Sequence, residues 1–276
     1  MRKLLTAALL AVLTLVLPLY AADAPPGAKT FALVVGISKY QKLPQDNWLQ
    51  YPDADARAFS AELASPVGGS LPADQMLVLT NEQATTSAIR KGLETFLKVR
   101  PGPDDTVYIL IAGHGTVDNT GAYILTYDSD TQNLASTALP MAELHSDVEK
   151  SLAKVGHVIL LADVCRAATI AGQKTTNLGD AVSSIGEAPG ELLGLMSARP
   201  RELSLEGPEY GGGHGAFSWS VLRGLEGEAD ADHDGFVTAG ELIDFVTTDV
   251  PKLTRNKQHP RDFGNMENST KLSRPR

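Results

Sequence analysis

A single cysteine, Cys165, stands near the end of the stretch Ile159-Leu-Leu-Ala-Asp-Val-Cys-Arg-Ala-Ala-Thr169, two positions after Asp163. A lone cysteine makes no intramolecular disulfide. It is a small core hydrophobe, a stray reactive thiol or a nucleophile. A second apolar stretch, residues 106–112, runs into Gly113-His114-Gly115. Open parallel sheets collect reactive groups just beyond the C-terminal ends of their strands. If the two stretches are neighbouring strands, an imidazole and a thiol sit side by side at one sheet edge. That arrangement suits a cysteine nucleophile whose proton passes to histidine. The plainer alternatives are a cysteine that fills the core and a histidine in a glycine turn.

The elements that would hold these residues follow from hydrophobic patterning. Residues 31–37, 76–80, 106–112 and 157–162 have the length and β-branched content of buried parallel strands, and residues 192–198 form a weaker fifth. Helical spacing lies between them. Residues 53–63 place Ala56, Phe59 and Leu63 on one face, and residues 86–99 do the same with Ile89, Leu93, Phe96 and Leu97. Residues 81–86 supply capping side chains, and residues 141–152 and 215–224 are further helix candidates. Such alternation implies βαβ units and an α/β, doubly wound, mostly parallel sheet flanked by helices, an αβα sandwich. Residues 172–190 are polar, aperiodic and rich in Gly, Ser and Thr, and read as a long mobile loop. The tail beyond Leu253 reads as polar and irregular.

The first residues combine Arg2 and Lys3, an apolar run over 4–19 and the small residues Ala21, Ala22 and Ala24, the composition of an export signal. An uncleaved membrane anchor is the rival; Pro18 and the shortness of the run speak against it. Residues 1–22 are therefore expected to be removed, leaving a periplasmic or secreted protein with no membrane segment. What remains is long enough for one sizeable α/β domain. The formal net charge is −9, and more negative once the two leader cations are gone. That balance argues against nucleic acid or anionic lipid as partner. With one cysteine, an exported chain relies on its core rather than on disulfides.

Taken together, the chain resembles the caspase-like cysteine peptidases, and among them the metacaspase and bacterial orthocaspase branch. The resemblance is carried by ALVVGISKY (residues 32–40), LIAGHGT (110–116), LLADVCRAA (160–168) and GGGHGAFSWSVLRGLEG (211–227). His114 also precedes Cys165 by about 50 residues, a separation stated for caspases. The resemblance implies a domain over 28–264: a large-subunit-like part to about 171, the loop 172–190, a small-subunit-like part over 191–264, and a polar tail, 265–276. It implies that His114 and Cys165 form a dyad working through a thioester, with the oxyanion held by the backbone N–H groups of Gly115 and Cys165. Val164 stands where the branch has Ser or Ala, and is expected to point away from the chemistry. A monomer is expected.

Specificity turns on fixed charge. A pocket for Asp needs cations, and one for Arg or Lys needs carboxylates. The resemblance assigns that role to Asp163, where caspases carry Gln, and to Asp55. The latter lies in Leu49-Gln-Tyr-Pro-Asp-Ala-Asp-Ala56, which keeps the Leu, Asp and Ala of the metacaspase pattern but not its Gly-Cys. Helix N-capping is the alternative role for Asp53 and Asp55. The expected substrates are proteins or peptides with Arg or Lys at the cleavage site, and Lys174 is a candidate for self-cleavage.

Residues 230–241, Asp-Ala-Asp-His-Asp-Gly-Phe-Val-Thr-Ala-Gly-Glu, follow the EF-hand loop pattern. Asp230, Asp232, Asp234, the Phe236 carbonyl and both Glu241 oxygens would surround a calcium ion, and helix-like segments flank them. An acidic surface turn is the alternative. With no second such loop, a structural clamp is expected rather than a sensor. Two functions are therefore in view: a calcium-supported cysteine endopeptidase, or a catalytically silent caspase-like scaffold that holds a partner.

Overall fold

The computed structural model of the 276-residue chain describes residues 27–98, 100–152, 155–166, 190–199 and 202–275. The expected export signal and most of the loop 172–190, with Lys174, lie outside the described residues. The first half of the chain forms β1 (Thr30–Gly36), α1 (Pro52–Ala64), β2 (Met76–Thr80), α2 (Thr86–Lys91), β3 (Thr106–Val117) and β4 (Ala122–Ile124). Next come α3 (Leu134–Thr137), β5 (Leu139–Pro140), α4 (Met141–Leu152), β6 (His157–Arg166) and β7 (Glu191–Met196). The last part holds β8 (Glu206–Gly207), β9 (His214–Gly215), α5 (Ala216–Arg223), β10 (Val237–Thr238), α6 (Ala239–Leu253), β11 (Arg261–Gly264) and β12 (Lys271–Ser273).

The strands predicted from apolar runs form the spine of a sheet ordered β11-β7-β6-β3-β1-β2. The pairs β2–β1, β1–β3, β3–β6 and β6–β7 are parallel, and β11 closes one edge antiparallel to β7. Both faces are covered, which is why the strands are apolar throughout. Phe31, Leu33 and Val35 of β1 pack with Ile89 of α2 and with Leu144 and Val148 of α4. Ala32 and Val34 face the other way, towards Phe59 and Leu63 of α1, Phe217 and Val221 of α5, and Leu242 and Val246 of α6. The predicted apolar face of α1, Ala56, Phe59 and Leu63, is buried. Thr85 caps α2 by accepting from the Ala88 N–H at 3.2 Å. Among the described residues, no helix is long and apolar enough to cross a membrane.

Two differences from the sequence reading have physical causes. The tail is not irregular: β11 completes the main sheet, and β12 pairs with β10. These strands are only three or four residues long, too short to show a period. The second difference is that β3 and β6 run past their predicted ends, through the residues of interest.

Helix α1 is seated directly on β1. A Cβ at Gly36 would lie 2.2 Å from the Pro52 carbonyl oxygen and 2.6 Å from the Ala56 Cβ, so glycine is required by close approach rather than by a turn. Gly36→Ala is expected to lower stability by about 1–3 kcal/mol, the usual cost of overpacking. Urea denaturation measures it; an unchanged midpoint would mean that α1 gives way without cost.

Candidate functional site

The site begins with the ladder between β3 and β6. Pairing with β1 ends at Gly36, in register with Ala112, and pairing with β7 ends at Met196, in register with Ala162. β3 and β6 continue alone: Asp163 stands against Ala112, Val164 against Gly113, Cys165 against His114 and Arg166 against Gly115. His114 and Cys165 were expected side by side just beyond the strand ends. They are instead register partners within the ladder, on strands spaced about 4.8 Å apart. Gly115 is held from its other side by Ile124 of β4.

His114 is buried, and its partners among the described residues are neutral. Nε2 lies 2.8 Å from the Asn47 carbonyl oxygen. A carbonyl only accepts, so Nε2 carries the hydrogen and Nδ1 holds the bare lone pair. Nδ1 is buried and finds no hydrogen-bond partner among the described residues. Burial pulls the imidazole pKa below its ordinary value, outweighing the bond to Asn47 that favours the charged form. The ring is therefore neutral at physiological pH. Tyr40 fixes it from behind, with ring centroids 5.2 Å apart. The Tyr40 hydroxyl accepts from the His114 amide at 2.8 Å and donates to the Ile37 carbonyl at 3.0 Å.

A second cluster gathers the predicted acids. Asp163, on β6, is buried and accepts from the hydroxyls of Ser204 at 2.5 Å and Ser218 at 2.7 Å. Asp55, in the first turn of α1, has Oδ1 2.7 Å from His214 Nδ1 and accepts from the Gly215 N–H at 3.2 and 3.3 Å. The carboxylates meet at Gly215, where a Cβ would sit 2.6 Å from Asp163 Oδ2 and 3.2 Å from Asp55 Oδ2. Burial raises both pKa values. For Asp55 the charge of Asp163 adds to burial, against the bonds from His214 and Gly215, and the carboxyl is pushed up to about 7. Glu206 is a third acid, in register with Gly215 across β8 and β9. It accepts from the amides of Gln50 at 2.9 Å and Tyr51 at 3.1 Å, and burial raises its pKa despite these bonds.

Neither aspartate caps α1, whose N-cap is Tyr51 with no side-chain bond. Asp53 lies apart from the cluster. It binds the Ser38 hydroxyl at 2.6 Å, Arg57 at 2.8 Å and Asn81 at 3.0 Å. Burial raises its pKa, but these bonds together hold it below the usual carboxylate value. Val164 packs against the core on the β1–α2–α4 side of the sheet, away from Asp163.

The acidic loop brings together part of its predicted ligand set. Carboxylate oxygens of Asp230, Asp232 and Asp234 lie within 4.8 Å of one another, and Gly235 turns the chain at φ +87°. The loop amides bond inward: Gly235 to Asp230 at 3.1 Å, Asp234 to Asp232 at 3.1 Å and Phe236 to Asp234 at 2.8 Å. Asp230 Oδ1 is buried with no hydrogen-bond partner among the described residues, an orphaned oxygen of the kind a hard cation satisfies. Glu241 does not join the three aspartates. Its oxygens accept from the Ala231 amide at 3.0 Å, and from the Thr238 amide at 2.9 Å and hydroxyl at 2.8 Å, which completes a capping box on α6. Val237 and Thr238 of the loop pair with Ser273 and Lys271 of β12. The Tyr108 hydroxyl then ties β12 to the central sheet through the Leu272 carbonyl at 3.2 Å.

An αβα sandwich whose central strands carry histidine and cysteine in register has the caspase-like fold. The caspase domain family matches residues 29–268, and the chain belongs to it; the family is one of cysteine peptidases. Among solved structures, the crystal structure of a protein from Geobacter sulfurreducens is similar to this chain, with a TM-score of 0.61 and 17% identity. That match covers 90% of this chain and 97% of the other, and is a likeness of fold. No curated protein matches.

Tyr40, Asn47, Ser204, Glu206, His214 and Ser218 went unseen in the sequence as site residues. The Gly211-Gly212-Gly213 run before His214 was the available signal.

The raised carboxyl of Asp55 makes a testable statement about stability. A folded-state pKa above the unfolded value means that the folded protein holds the proton more tightly. This contribution is complete below about pH 4 and is lost as pH rises through about 7. Across that window the wild-type chain is expected to lose stability relative to Asp55→Asn, read as diverging thermal midpoints. Parallel midpoints would mean that Asp55 titrates as an ordinary carboxyl.

Proposed function

We propose that the chain is a cysteine endopeptidase that cleaves peptide bonds after Arg or Lys. The observation that carries this reading is the register of Cys165 with His114, whose Nδ1 lone pair is buried and unclaimed among the described residues. The Cys165 sulfur attacks the peptide carbonyl while its proton passes to Nδ1. The C–N bond breaks as that proton moves to the leaving amine, leaving a thioester. Water then adds to the thioester, returning the thiol and releasing the acid. Backbone N–H groups of Gly115 and Cys165 would hold the oxyanion in both halves.

The choice of basic residues rests on Asp55 and Asp163. Among the described residues their hydrogen-bond donors are hydroxyls, backbone amides and an imidazole, with no guanidinium to receive an acidic side chain. A guanidinium offers paired donors to carboxylates, and an ammonium fewer, so Arg is expected to exceed Lys. Cys165→Ala and His114→Ala should each remove several orders of magnitude in turnover of an Arg-ended fluorogenic peptide, with the circular dichroism spectrum retained. Near-wild-type turnover by Cys165→Ala would overturn the mechanism, and faster cleavage after Asp than after Arg would overturn the specificity.

Calcium at the acidic loop belongs to the same proposal. The three aspartates repel one another, and Asp230 Oδ1 lacks a donor, so the residues present fit a hard cation. Asp230, Asp232, Asp234 and the Phe236 carbonyl would hold it, and Glu241 would join by leaving its bonds to Thr238. A bound ion would neutralise the loop and stabilise the folded state by about 2.7 kcal/mol at a hundredfold excess over Kd. Added calcium should raise the melting temperature, and Glu241→Gln should shrink that rise. An undiminished rise in the variant would place the cation elsewhere.

A further inference from the structure

Among the described residues the acid cluster at Gly215 holds one basic group, His214, and its position is tightly made. Gly211, Gly212 and Gly213 have φ of +59°, +87° and +140°, a path that glycine alone follows at little cost. The path is also crowded: a Cβ at Gly211 would lie 2.5 Å from the Trp219 ring, and one at Gly213 would lie 2.7 Å from the Tyr51 ring. At its end the His214 ring stacks on Trp219, centroids 5.5 Å apart and planes 11° apart. Nδ1 is thereby held 2.7 Å from Asp55 Oδ1. The imidazole remains partly open, with 16% of its side chain exposed against 2% for Asp55. Among the described residues the charged groups around the pair are acids, Asp163 from β6 and Glu206 from β8, with Asp53 two residues earlier in α1 and paired with Arg57. The remaining donors, Ser204, Ser218 and the Gly215 amide, are neutral.

We propose that His214 is the positioning residue of a pocket for basic side chains: it fixes Asp55, whose carboxyl holds a proton beside Asp163, and an incoming Arg or Lys side chain displaces that proton to solvent. This rests on the reading of the pocket as a site for basic side chains. The His214–Asp55 pair stands beside further negative charge that a proton partly offsets. A guanidinium entering the pocket brings its own positive charge and does not give up a proton. Two cations then compete for the same carboxylates, and the mobile one leaves. The balance is one substrate cation bound and up to one proton released, with no covalent change. A neutral side chain displaces nothing. The protonated pair also leaves the pocket less negative, so the affinity for a basic substrate rises as pH rises. The carboxyl of Asp55, raised to about 7, places that rise in the neutral range.

The test uses the full chain with Cys165→Ala, which binds without turnover, and an Arg-ended peptide amide as probe. Calorimetry at pH 7 in two buffers of different ionisation enthalpy counts the protons released. The expected result is net release, fading above about pH 8.5. In the active chain, His214→Gln is expected to raise KM for the Arg-ended fluorogenic peptide about tenfold at pH 7, with kcat changed less than about twofold. It should also move the fall of KM with pH upward by about one unit. A merely structural role would lower the melting temperature without moving that pH. Buffer-independent binding heats would overturn the proposal, as would a KM profile unmoved in His214→Gln. If no Arg-ended peptide binds at any pH while an Asp-ended one does, the pocket reading fails and this inference falls with it. Binding of the Arg-ended peptide without proton release overturns the inference alone.

Discussion

Ten consecutive residues of β6, His157 to Arg166, stand in register with β3, and every relation at the site depends on that ladder. Side chains alternate along a strand, so a slip of one residue would exchange the two faces of β6. Asp163 would turn into the apolar layer of α2 and α4, and Val164 would face Ser204 and Ser218. The register is fixed from below by apolar pairs such as Ile109 with Leu160 and Leu110 with Leu161, each buried on its own face. Burial at the base of the strands therefore sets the position of polar groups at their tip. The last pairs extend beyond the support of β1 and β7, with β4 at the flank of β3 and Tyr40 behind His114.

The acid cluster works against stability. Two buried carboxylates in mutual contact with Gly215, supplied with hydroxyls, amides and a single imidazole, are poorly compensated compared with carboxylates that each face a full cation. The pKa of each rises for that reason. A structural ion pair elsewhere in the chain looks different: Asp53, bonded to Arg57, Ser38 and Asn81, is held below its ordinary pKa and latches the start of α1 to the segments that follow β1 and β2. The contrast separates a carboxylate that holds the fold from carboxylates that the fold must hold. Strong perturbation by burial and like charge in a cluster of this kind is the pattern of functional sites.

Much of this was legible in the sequence, for identifiable reasons. Long apolar runs and 3.6-residue spacing located β1, β2, β3, β6, α1 and α4, because both faces of the sheet are buried and the signal is strong. The glycines around His114 hid the length of β3: Gly113 lies in the strand, where a Cβ would stand 3.1 Å from the Tyr40 hydroxyl. Asp55 and Asp163 could be named through a family motif, but their partners could not. His214 reaches Asp55 across 159 positions and Ser218 reaches Asp163 across 55, distances at which residue spacing carries no information. The placing of β12 beside the acidic loop was hidden for the same reason.

The two histidines show what the fold adds to residue type. His114 has a carbonyl, a hydroxyl-bound amide and an aromatic ring for neighbours, and burial keeps it neutral. A carboxylate at that place would favour the imidazolium and remove the lone pair a general base needs. His214 has a carboxylate at 2.7 Å, a contact that His114 lacks among the described residues. Asp163 is two residues from Cys165, close enough in sequence to threaten the neutrality of His114. Its register partner, however, is Ala112 rather than His114, and both oxygens are claimed by Ser204 and Ser218. Confining negative charge to the Gly215 side lets one sheet edge carry a neutral imidazole and an acid cluster together.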